Sequence, residues 1–148
     1  MDDLDHLLDR QLEESFAMYD ELVAALSNSD LERALPVPSN TIGSQLWCVV
    51  GARESWARAI AKGAWDGFSC SLTSINDLDA MRPALAGSAT AVQTASAAAG
   101  HDAQRTELKL RLLVHESQHQ GQLLRYLLGL KLPVPPRWRE RFALGAEG

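Results

Sequence analysis

Apolar side chains recur every three or four positions at the start of the chain, at Leu4, Leu8, Leu12, Phe16, Tyr19, Leu22, Val23 and Leu26. That spacing predicts an amphipathic helix over about Asp2 to Leu26 with one buried stripe. The polar run "SNSD" ends it, and "LPVPSN" reads as a connector. A second helix is expected from Thr41 to about Lys62, with Ser39 or Asn40 as N-cap and Gly63 as terminator. "AWDGFSCSLTS" then reads as a loop. The third helical segment, about Asn76 to Ala99, is dominated by Ala, Ser and Thr, and Pro83 should start or kink it. Asp102 can cap a fourth helix running to Leu128, with Gly129 placed to end it in the left-handed conformation. The prolines of "LPVPPRWRERFAL" favour an extended tail, from which Trp138 and Phe142 fold back over one end of the bundle. No stretch combines period-two alternation with β-branched and aromatic enrichment, so the class is all-α.

Composition narrows the picture. A chain of 148 residues that is 46% hydrophobic suits a single domain over residues 1–148, with 131–148 as a tail packed on the bundle. A domain of that size buries roughly 70% of its unfolded surface. A net charge of -5 provides no basic footprint for nucleic acid or anionic lipid, and three arginines in the tail, Arg137, Arg139 and Arg141, make a poor phosphate track. The N-terminus is acidic where a secretory signal would be basic, and no stretch approaches the roughly 20 apolar residues of a membrane span. A cytoplasmic protein with neither nucleic-acid nor membrane partner is expected. Cys48 and Cys70 show no CxxC pairing, and a reducing cytosol argues against a stable structural disulfide.

Candidate chemistry concentrates in "LVHESQHQGQLLRYLLG". At about 100° per residue, His115 and His119 share a helix sector with Leu108, Leu112, Leu123 and Tyr126, so both face the core side. Imidazoles one turn apart can hold one metal ion together; the plainer reading is a pair of hydrogen-bonded core histidines. "HESQH" also satisfies the zincin pattern, with Glu116 as general base. That protease reading fails on context, because no third ligand follows and Glu116 turns about 100° from His115. A third ligand must come from another helix, where Cys48 lies in "SQLWCVVGARESWARAI". Thr41, Ala52, Ser55 and Ala59 share its sector, leaving space beside the bulkier Val49, Trp56 and Ile60. Packing alone would also account for Cys48, Cys70, Trp47, Trp56 and Trp65, and Arg53 and Glu54 read as solvated or subunit-contact charges.

These residues carry a resemblance. "SQLWCVVGARESWARAI", "GFSCSL" and "HESQHQGQLLRYLLGLKLPVPPRWRERFAL" resemble the DinB/YfiT-like superfamily of small bacterial helical bundles. The similarity spans most of the chain and is weakest in the alanine-rich third segment. It implies a four-helix bundle with a long crossover connection, a homodimer, and a divalent metal held by one histidine on the second helix and two on the fourth. His115 and His119 match the latter pair. The first histidine falls at Cys48, so the resemblance implies a Cys48/His115/His119 site.

Thiolate suits zinc, with nickel as the next choice, and three protein ligands leave a fourth position open, as in catalytic sites. The resemblance then implies a metal-dependent enzyme acting on a small-molecule substrate, with thiol-dependent transfer from a low-molecular-weight thiol favoured. Gln45, Ser55, Gln122 and Arg111 are available to hold that thiol. A small-molecule hydrolase is the alternative, as is a non-catalytic metal-binding dimeric bundle.

Overall fold

The computed structural model describes residues 3 to 145. It contains α1 (Asp3–Ala25), α2 (Asn28–Leu31), α3 (Ile42–Lys62), α4 (Leu78–Ala98), α5 (Ala103–Gly129) and α6 (Pro136–Arg141), with no strand among the described residues. Asp2, the expected start of the first helix, lies outside them, as do the last three residues of the tail.

The four long helices form a bundle in which α1 and α3 each pack against both α4 and α5. Long-range hydrogen bonds fix the directions. Asp5 meets Thr106 and Ser15 meets Glu116, so α1 and α5 run parallel. Gln45 meets His119 and Arg105 reaches the Ile60 carbonyl, so α3 and α5 are antiparallel. Asp9 meets Ser96 and Arg82 reaches the Val23 carbonyl, which makes α4 antiparallel to α1. Two consecutive helices, α3 and α4, therefore point the same way, and the chain between them must return along the bundle. Residues 63–77 make this crossover.

The helix ends follow from local polar chemistry. Thr41, rather than Ser39 or Asn40, caps α3 by accepting from the Ser44 N–H. Ser39 Oγ instead accepts from the Leu35 N–H, and Asn40 Oδ1 from Gln45 and Tyr126. Gly63 closes α3 at φ 86°, as its position suggested. "SNSD" does more than end α1: Ser27 and Asp30 form a capping box that starts the one-turn α2. Asp77 and Asp102 cap α4 and α5. Pro83 lies inside α4, where it has no N–H to offer the preceding turn.

Two expectations at the C-terminal end are corrected. Helix α5 continues through Gly129, and the left-handed residue is Lys131 at φ 57°. Gly129 serves a close approach instead, since an added Cβ would lie 2.9 Å from Leu35 Cδ2. The tail is extended only as far as Pro135, because Pro136 occupies the first turn of α6, where its missing N–H costs nothing. Trp138 does fold back over the bundle: it is fully buried, donates its indole N–H to the Met18 carbonyl at 2.8 Å and meets Tyr19 edge-on. Among the described residues, no helix is long and apolar enough to cross a membrane.

Candidate metal centre

Along α5 the fully buried positions are Leu112, Glu116, Leu123 and Leu127. The centre of the buried face thus passes through Glu116, and the histidines sit on its flank, half-buried and turned toward α3. One expectation holds here and one falls. Glu116 does point away from the histidines, but into the core. Arg53 is neither solvated nor a subunit contact: both side chains have zero exposure and form a bidentate pair, Nη2 to Oε1 at 2.9 Å and Nε to Oε2 at 3.1 Å.

The remaining hydrogen-bonding capacity of that pair is met within the core. Ser15 Oγ donates to Glu116 Oε1 at 2.9 Å, and Gln120 Nε2 donates to Ser15 Oγ at 2.7 Å. Tyr19 donates to the Glu116 carbonyl at 2.7 Å, and Arg53 Nη1 donates to the Leu85 carbonyl at 3.1 Å. Phe16 and Tyr19 present their ring faces to the guanidinium at 4.5 and 5.1 Å. One ion pair thus ties all four long helices together, and Glu116 is committed to that role.

The histidine pair itself is assembled: the two rings lie 4.5 Å apart between centroids. Gln45 on α3 accepts from His119 Nδ1 at 2.5 Å. The orientation of that amide is set at its other end, where Gln45 Nε2 donates to Asn40 Oδ1, which also accepts from the Tyr126 hydroxyl. With the amide oxygen facing the ring, Nδ1 carries the proton and Nε2 keeps its lone pair. The Gln45 amide thus fixes both the tautomer and the orientation of the ring. His115 packs on Trp56, which packs in turn on Trp65. Its Nδ1 is buried without a hydrogen-bond partner, and so is Trp56 Nε1.

Burial disfavours the charged form of both rings. Burial drives the His119 pKa down to about 4, with the neighbouring His115 adding to the effect. Burial also lowers His115, opposed by the Glu116 carboxylate. A neutral imidazole is the form that binds a metal.

The third expected donor is not gathered with them. Cys48 is half-buried on α3, one turn beyond Gln45, and burial raises its thiol pKa. Among the described residues, no three His, Cys, Asp or Glu side chains converge to hold an ion. The small-residue face of α3 is partly taken by the crossover: Ser55 Oγ donates to the Ser69 carbonyl and accepts from the Ser69 N–H.

Of the other polar residues, Gln45 is committed to His119 and Arg111 pairs with Glu107. Gln122 lines a surface groove of about 400 Å³ with Arg125, Tyr126, Val37 and Gln45. Sequence reasoning missed the Arg53–Glu116 pair and the Asn40–Gln45–His119 relay, neither of which has a signature in local spacing.

No family model, no curated protein and no solved structure matches this chain.

Proposed function

We propose that the protein is a metal-dependent transferase in which His115 and His119 hold a divalent ion, zinc before nickel, and Cys48, which does not converge with them among the described residues, is the third donor only once its side chain turns toward the pair. The observation that carries the reading is the buried, unpartnered Nδ1 of His115 beside a second imidazole oriented by Gln45. Leaving such a nitrogen unpaired costs about 1–3 kcal/mol, which an ion at the pair would offset. The resemblance to the DinB/YfiT-like superfamily supports the rest: a low-molecular-weight thiol as co-substrate, a small electrophile as its partner, and a homodimer. The bound ion would supply stabilisation of a thiolate.

The chain's own residues favour transfer over hydrolysis. A hydrolase needs a base poised beside the nucleophilic water. Glu116 is locked to Arg53, and Glu54 accepts from both the N–H and the hydroxyl of Ser71. Thiol transfer asks only for a pocket, an ion and polar anchors, for which Gln122 and Arg125 border the groove beside Gln45. A second reading, a metal-binding bundle without catalysis, draws on the same imidazole pair and on the commitment of both nearby carboxylates, Glu116 and Glu54, to other partners.

Purified protein incubated with zinc or nickel and a panel of low-molecular-weight thiols and electrophiles separates the two. Thioether formation abolished by chelation and by His119→Ala supports the transferase. Metal that raises the unfolding temperature with no turnover across the panel supports the second reading and overturns the first.

A further inference from the structure

We propose that Cys48 and Cys70 form a reversible intrachain disulfide that fastens the crossover between α3 and α4 to the flank of α3. Hydrogen bonds on both sides of Cys70 hold this segment against the helix. Ser69 is bonded through its N–H and carbonyl to Ser55, the Ser71 N–H and hydroxyl donate to Glu54, and the Trp47 indole donates to the Leu72 carbonyl at 3.0 Å. Gly51 allows the approach, because a Cβ built there would stand 2.9 Å from Cys70 Cβ.

That Cβ position lies one turn from Cys48, a separation of about 5–6 Å between β-carbons on a helix. Cys70 Sγ is 3.5 Å from the carbonyl of Trp47, the residue just before Cys48. A disulfide needs β-carbons about 4 Å apart, so side-chain rotation must aim the two sulfurs at each other and the backbone of the crossover must move Cys70 toward Cys48. Both cysteines are free and half-exposed, so an oxidant can reach them.

With a peroxide as oxidant, one sulfur takes an oxygen to become a sulfenic acid, and the O–O bond breaks with release of water. The second thiol attacks that sulfur, the S–S bond forms, and the hydroxyl leaves with a proton as a second water. Two electrons pass from the two sulfurs to the peroxide. Two molecules of a low-molecular-weight thiol reverse the step by successive exchange, through a mixed disulfide, and leave as their own disulfide. The bridge requires no metal and takes up the Cys48 sulfur, so it forms only when that sulfur is not holding an ion, and it is tested on metal-free protein.

The test uses full-length protein freed of metal by chelation, treated with hydrogen peroxide and digested without reduction. The expected product is a monomer about 2 Da lighter, with a peptide linking residues 48 and 70, both thiols protected from alkylation, and full reversal by dithiothreitol. Cys70→Ser should abolish the mass loss while retaining the native circular dichroism. Two alkylatable thiols after treatment, a purely interchain product, or a sulfinic acid on one cysteine without the crosslink would each overturn the proposal.

Discussion

Replacing Glu116 with glutamine removes one charge from the middle of the bundle and leaves the Arg53 guanidinium at zero exposure with no counter-ion. The Leu85 carbonyl and two ring faces remain around it, but neither carries a full negative charge. Breaking such a pair from one side costs about 3–5 kcal/mol, a large share of the roughly 5–15 kcal/mol that holds a domain folded. Arg53→Met should cost about the same, because the carboxylate would keep only Ser15 as a donor. The double variant Arg53→Met/Glu116→Leu removes both charges and fills the space with apolar groups, so it should be no worse than either single change and about 0–2 kcal/mol below wild type. Urea denaturation followed by circular dichroism measures all four corners of the cycle. Single variants within about 1 kcal/mol of wild type, or a double variant equal to the sum of the singles, would refute a dry ion pair at the centre of the core.

Gln45→Leu removes the acceptor that orients His119, so zinc affinity should fall about 10- to 100-fold in a competition assay while the helical signal is unchanged. His119 also has a pH signature. Its folded pKa of about 4 lies below its ordinary value of 6.5, so the unfolded chain takes up the proton first. Its contribution to stability is full above about pH 6.5 and is lost as pH falls toward 4; His119→Gln should flatten that stretch of a plot of stability against pH. Trp138→Ala empties a fully buried site and orphans the Met18 carbonyl, and should lower stability by about 3–5 kcal/mol in thermal or urea unfolding.

The long helices were legible because each buries one apolar stripe, and the stripe shows at the 3.6-residue period whether the helix is leucine-rich like α1 or alanine-rich like α4. Asp102 and Gly63 could be read as boundaries for an equally local reason. What stayed hidden was non-local. Arg53 and Glu116 each look like surface charges in their own helix, and only their partnership across 63 residues lets both be buried. Glu116 occupies the centre of the buried α5 face, so the histidines, turned about 100° or less from it, lie on its flank. Helices α2 and α6, at 4 and 6 residues, are too short to display a period; α2 falls in the polar run that ends the first helix and α6 in the proline-rich tail.

The candidate site divides along the same line. His115 and His119 share one helix, so spacing alone brings them together. Whether Cys48 meets them depends on the relative rotation of α3 and α5, which no pattern within either helix encodes.

Metal content of purified wild type, Cys48→Ala and His119→Ala after saturation with zinc and gel filtration tests the central claim most directly. The account predicts about one ion per chain in wild type, weakened retention in Cys48→Ala and none in His119→Ala. No retained ion in wild type, or equal occupancy in all three proteins, would contradict it.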